Sequence, residues 1–209
     1  MITLEDIIQL LKNAKTSDEI DEKREDIASV IPAIREMFGY DQMNAAHQYD
    51  LWLHSVNTTW NLPRNLDDDM LYLAALLHDI GKPECRCQGS KPEDTNMHYY
   101  GHPVKSMEIV RDVVIPKLDR QGFHIGAEDM KRLLYYIEYH DDHVSLRLKH
   151  LRRHLRIADF EEFQKLMLLQ VADAKAHVLI PLVENRIMIC SALAGMEGEE
   201  LYKRILAGE

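Results

Sequence analysis

Signals that start and stop α-helices recur along the whole chain, with no hairpin signal and no internal repeat between them. The expected architecture is therefore an all-α, multi-helix bundle. Thr3 followed by Asp6 forms a capping box with Asp in place of Glu, ahead of Ile7, Leu10 and Leu11 at helical spacing. Ser17 is placed to cap a second helix through Ile20, Ile27 and Val30, which Pro32 kinks or restarts and Gly39 ends. A third helix is expected over 48–60, ending before Pro63. A fourth follows the acids Asp67–Asp69, runs through Met70, Leu73, Ala74 and Leu77, and is stopped by Gly81 and Pro83. Residues 84–101, mostly polar and containing Gly89, Pro92 and Gly101, read as a loop. Further helices are expected near 102–118, 126–141, 146–156, 159–178 and 182–206. Residues 1–45 form an N-terminal helical extension packed on the core, and 46–209 the main domain with its C-terminal helix, together one compact unit.

Composition matters mainly for what it excludes. The formal net charge of −10 argues against duplex nucleic acid as a partner. No apolar run approaches the ~18 residues of a membrane span, and MITLEDIIQLL lacks the positive start of a signal peptide. Cys85, Cys87 and Cys190 are an odd and sparse set that does not suggest a disulfide framework, which fits a reducing, cytoplasmic compartment. Cys85 and Cys87 have no second pair to complete a thiolate zinc site. The eleven histidines are the outlier, and they direct attention to a metal.

The first candidate ligands are His78 and Asp79, in Leu-Leu-His-Asp-Ile-Gly-Lys-Pro. They end an apolar helix, where a carboxylate losing its water needs a partner or a cation. The plainer alternative is a histidine capping the helix and an aspartate opening a turn. Asp173 poses the same question within Leu-Leu-Gln-Val-Ala-Asp-Ala-Lys, with an ion pair to Lys175 as its alternative. His47 and His54, seven apart, share a face if both are helical, and His54 sits among Trp52, Leu53 and Val56. Gly-His-Pro places His102 at a helix start, and Tyr-His-Asp-Asp-His places His140 at a helix end. Each segment alone is weak; five together are hard to explain by packing.

His54, His78-Asp79 in an HDxGK context, His102, His140 and Asp173 resemble the H…HD…H…H…D signature of the HD-domain metal-dependent phosphohydrolase superfamily. The wording over about 47–177 is closest to the HD domain of bacterial CCA-adding tRNA nucleotidyltransferases. Nothing upstream of residue 47 has room for their nucleotidyltransferase head, so a CCA-adding enzyme is not expected. The HDxxED motif of guanosine-tetraphosphate hydrolases and the GYP motif of cyclic-di-GMP phosphodiesterases are both absent.

The resemblance implies an all-α HD-domain bundle in which His54, His78, Asp79 and Asp173 hold one divalent ion. It also implies that His102 and His140 either hold a second ion, with Asp79 bridging and Asp141 as a helper, or contact substrate phosphate. Mixed imidazole and carboxylate donors suit Mn, Fe, Co, Ni or Zn without choosing among them. The expected activity is hydrolysis of a phosphomonoester or phosphodiester, a nucleotide or cyclic nucleotide above all, with Asp79, Lys82, His102 and His140 as the catalytic set. His47, Lys82 and Arg147 are substrate-side candidates. His47 is read as a phosphate contact or proton donor, with a core or surface role as its alternative, and Lys82 as a phosphate contact or a solvated helix-end lysine. Arg147 begins a stretch to Arg156 with five Lys and Arg residues and no acid, read as a docking surface for a nucleotide or short RNA end, or as the solvated face of an amphipathic helix. The competing functions are an HD-fold di-iron oxygenase and a non-catalytic nucleotide-binding or regulatory module.

Overall fold

The computed structural model describes residues 2–64, 66–91 and 93–209. In chain order the helices are α1 (Leu4–Asn13), α2 (Ser17–Asp21), α3 (Arg24–Val30), α4 (Leu51–Asn61), α5 (Asp69–Leu77), α6 (Lys82–Cys85), α7 (His102–Ile109), α8 (Ile115–Arg120), α9 (Ala127–Tyr139), α10 (Leu148–His154), α11 (Phe160–Lys175), α12 (Pro181–Ala194) and α13 (Met196–Leu206). The fold is all-α, as the punctuation implies. A small antiparallel pair, β1 (Cys87–Gln88) with β2 (Met97–His98), replaces the plain loop expected over 84–101. Two residues per strand are too few to leave a periodic signal in sequence. Pro92, between them, lies outside the described residues.

α5 is the axis of the core. Every residue from Met70 to Leu77 is buried, and a helix apolar on all sides can only sit inside. α4, α9 and α11 pack around it, α7 lies on α9, and α12 covers α11. Aspartates start the central helices by accepting orphan N–H groups. Asp50 takes Leu53 N at 2.8 Å and Asp68 takes Leu71 N at 3.1 Å, while Asp159 forms a capping box with Glu162. Asp68 is itself buried, held by the Tyr136 hydroxyl at 3.0 Å and Lys165 Nζ at 3.1 Å.

The N-terminal helices pack on the same core, α1 against α5 and α4 and α2 against α4. Trp52 Nε1 donates to Asp21 Oδ1 at 2.6 Å, tying α4 to the end of α2. The Thr3–Asp6 capping box forms as expected. Thr16, not Ser17, caps α2, and the helix breaks after Asp21 rather than running on to Val30.

Three further corrections shape the site. α4 begins at Leu51, so His47 is not on it. Pro83 does not merely end a helix: it sits in the first turn of α6, where a residue without N–H leaves no bond unmade. The single helix expected over 182–206 is two, because the backbone at Gly195 (φ −113°, ψ −143°) leaves the helical region.

Gly81 fixes how closely α7 approaches α5. A Cβ there would lie 2.5 Å from Ser106 N, and the Gly81 N–H donates to Ser106 Oγ at 2.9 Å. This contact sets the start of α7, and with it His102. Gly101 adopts φ +79°, a left-handed turn that glycine makes without strain, and delivers His102 as the first residue of α7.

Candidate metal centre

Five elements bring their side chains to one buried point. His54 comes from within α4, His78 caps α5 with Asp79 following, and Asp173 projects from α11. His102 opens α7 and His140 caps α9. All six are buried.

Asp79 lies at the middle and divides its two oxygens. Oδ2 faces His54 Nε2 at 3.3 Å and His78 Nε2 at 3.2 Å. Asp173 Oδ1 closes that half, 3.0 Å from His54 Nε2 and 3.6 Å from His78 Nε2. Oδ1 faces His102 Nε2 at 3.1 Å and His140 Nε2 at 3.4 Å, and those two nitrogens are 3.2 Å apart. Ligands of one ion bound at ~2.1 Å stand roughly 3.0–3.4 Å from one another, so the spacing suits a divalent ion in either half.

The rings are aimed by the backbone. His78 Nδ1 lies 2.8 Å from Ala75 O, His102 Nδ1 2.8 Å from Tyr99 O, and His140 Nδ1 2.7 Å from Ile137 O. A carbonyl oxygen only accepts, so each Nδ1 carries a proton and donates, and each Nε2 turns inward as the nitrogen left for a metal. His78 thus does cap its helix, as the plainer sequence reading held, and the cap orients a ligand. His54 Nε2, His78 Nε2 and Asp79 Oδ1 have no hydrogen-bond partner among the described residues. Buried imidazole nitrogens and a carboxylate oxygen gathered without hydrogen-bond partners are what a cation satisfies. The donor set and its orphaned atoms fit a divalent transition metal.

Electrostatics agree. Burial alone would raise the carboxyl pKa of Asp79, but His78 and Lys82 outweigh it and hold it well below the usual range. Asp173 is lowered likewise, burial being overcome by His177, His54 and His78. Burial opposes charge on His78, yet Asp79 and Asp173 lift its pKa to about 10. His140 goes the other way, because burial dominates. Asp173 does not pair with Lys175, which is exposed on the outer face of α11.

Lys82 is buried, its Nζ 2.7 Å from Asp79 Oδ2 and 2.9 Å from Gln42 Oε1, so it is not a solvated helix-end lysine. His47 stands in the turn before α4, its ring centroid 5.3 Å from that of His54. Burial, then Lys82 and His54, push the His47 pKa down to about 2. It is therefore neutral at neutral pH and suited to hydrogen bonding rather than to proton donation. Arg147 is exposed before α10 and lines none of the cavity described next.

A cavity of about 300 Å³ opens on the centre. Asp79, His102, His140 and Asp173 line it together with Lys82, His47, His177 and Arg186. The last of these with His177 escaped the sequence reading. His177 is four residues beyond Asp173 and just past the end of α11, its Nδ1 donating to Asp173 O at 3.0 Å, and the spacing from Asp173 was the available signal. Its ring lies 4.5 Å from that of His47, where the chain segments form an antiparallel bridge. Arg186, on α12, carries no pattern that marks it in sequence.

Fold and centre together define a helical domain with a buried His/Asp cluster suited to divalent metal. The family model described as HD domain matches residues 44–176, well over half of the chain, and the protein belongs to that family. Members are generally metal-dependent hydrolases of phosphoesters, and this cluster is compatible with that metal. No curated protein and no solved structure matches the chain. Among the described residues, no helix is long and apolar enough to cross a membrane.

Proposed function

We propose that this protein is a metal-dependent phosphohydrolase that cleaves a phosphomonoester or phosphodiester, with a nucleotide-sized substrate as the first class to test. The observation that carries the reading is the divided carboxylate of Asp79, set between two groups of inward-facing imidazoles at the floor of a cavity that also carries cations. His54, His78, Asp79 and Asp173 would hold one ion; His102, His140 and the other oxygen of Asp79 offer the place for a second. A divalent ion in such a site lowers the pKa of bound water and polarises a phosphoryl oxygen.

The chain supplies the rest. Lys82 Nζ beside Asp79 and the Arg186 guanidinium at the cavity wall offer positive charge to the phosphoryl oxygens as negative charge builds on them. His102 and His140, their Nδ1 protons committed to backbone carbonyls, keep Nε2 directed at the reacting group. His47 and His177, both with pKa lowered chiefly by burial, stand as neutral hydrogen-bonding groups beside His54. The test is hydrolysis of a panel of phosphomonoesters and phosphodiesters by protein loaded in turn with Mn, Fe, Co, Ni and Zn, beside Asp79→Ala. Turnover that disappears in the variant supports the reading. Inactivity with every metal across the panel sinks it, and iron with oxygen uptake in place of hydrolysis transfers the site to oxygenase chemistry.

A further inference from the structure

A second cavity of about 270 Å³ adjoins the first, and Asp141 and Arg186 line both. Its character differs. Val144, Leu182, Val183 and Ile189 give it mostly apolar walls. Leu182 is 75% exposed at its rim, beside exposed Leu179 and Ile180. Most of this wall is α12, beyond the stretch matched by the family model.

Arg186 stands where the two spaces meet. Its Nη1 donates to Asp141 Oδ1 at 2.8 Å and its Nη2 to the His140 carbonyl at 2.8 Å, with Asp173 Oδ2 4.0 Å away. Its Nε is buried and has no hydrogen-bond partner among the described residues. A guanidinium carries five N–H donors in a planar fork that matches two phosphate oxygens. Capping the end of α9 and pairing with Asp141 uses only part of that capacity. The same residue lines the apolar space as well.

We infer that the substrate site has two parts joined at Arg186: the guanidinium binds the phosphoryl group in the metal cavity, and the second cavity takes a bulky, largely apolar organic group of the same ester. The inference rests on the phosphoester reading above. It adds a substrate class, since a phosphoester with only a small polar alcohol would leave the second cavity unused. A space of about 300 Å³ is the lower end for a ligand pocket, and the two spaces joined accommodate an ester that neither holds alone.

Two phosphonates with the same anionic head separate the parts without any turnover: methylphosphonate and 1-naphthylmethylphosphonate, titrated calorimetrically into metal-loaded protein. The naphthyl compound is expected to bind at least about tenfold more tightly, from its added apolar burial. Asn185→Trp, an exposed position lining the second cavity, places an indole in that space and is expected to erase the difference between the two compounds. Arg186→Gln, compared at equal metal content, is expected to weaken both by about tenfold, and Arg186→Lys, which keeps the charge but not the fork that holds Asp141 and the His140 carbonyl, is expected to recover part of that loss; a merely structural Arg186 would leave Lys no better than Gln. Equal affinities in the unaltered protein, or an advantage that survives Asn185→Trp, overturn the second cavity's role. Unchanged affinities in Arg186→Gln overturn the joint. If neither phosphonate binds, the phosphoester reading falls and takes this inference with it.

Discussion

On the Oδ2 side of Asp79 the facing donors come from α4, the end of α5 and α11, and include a second carboxylate. On the Oδ1 side they are two imidazoles from helix ends, His102 after the left-handed turn at Gly101 and His140 at the close of α9. The first half is set by the packing of central helices and carries Asp173 as an added charge. The second depends on how α7 and α9 terminate, and has no carboxylate of its own beyond the shared one. The contrast teaches that one residue can unite two halves of unlike donor sets, and that the two should differ in affinity for metal.

The strongest way to break that contrast is to remove what both halves share. Asp79→Ala is expected to empty both, with metal content near zero by elemental analysis and hydrolysis down by more than ~100-fold, beyond the roughly 10–100-fold cost of removing an outer-shell partner of a ligand. Retained metal in this variant would mean the halves are independent. Next come the halves singly. Asp173→Ala is expected to cost the tightly held ion, and His140→Ala only the weaker one, read as metals per chain and as separate phases in a metal titration. Identical losses from the two would erase the distinction. Gly81→Ala strikes the contact that sets α7; overpacking of this kind costs about 1–3 kcal/mol, visible in denaturant unfolding. Its metal deficit should fall on the His102 side, and an equal deficit on both sides would show that α7 does not position one half alone.

A change of pH sharpens the contrast further. His78 holds its proton more tightly folded, with a pKa of about 10, than unfolded, at 6.5. The metal-free protein therefore has that contribution in full below pH 6.5 and loses it as pH rises toward 10. A metal ion competes for the same Nε2, so metal affinity should rise across the same window. Tm of the metal-free protein and metal affinity, followed together, should move in opposite directions; parallel movement would contradict the proton's place on His78. The smallest effect is expected at the extension. Trp52→Phe removes the bond to Asp21 and should cost roughly 1 kcal/mol, leaving metal content unchanged.

The core half of the centre was the more legible in sequence. His78-Asp79 and Asp173 interrupt apolar helical runs, and a buried charge among leucines is conspicuous without any structure. The aspartate caps that start the central helices were readable for the same local reason. What escaped depends on contacts between distant segments. Arg186 lies on a helix whose polar and apolar residues follow no clear stripe, and its importance comes only from where α12 crosses α11. His47 looked like a helical partner of His54, yet it meets His54 from a turn held by the bridge to His177. Arg147 drew attention because it heads a basic run, and local charge says nothing about which way a helix faces. The breaks after Asp21 and at Gly195 were missed because hydrophobic periodicity continues across them.

The three backbone carbonyls that grip Nδ1 of His78, His102 and His140 carry one more consequence. Each lies three residues before its histidine, so the ring and the adjoining turn move as one piece. Ions held by these rings would act as crosslinks between chain segments as distant as the end of α5 and the end of α9. All three cysteines are free thiols. In such a chain a metal is the strong crosslink that remains, and the loss of metal and the fraying of helix ends become a single event, one that amide hydrogen exchange at residues 137–140 would register.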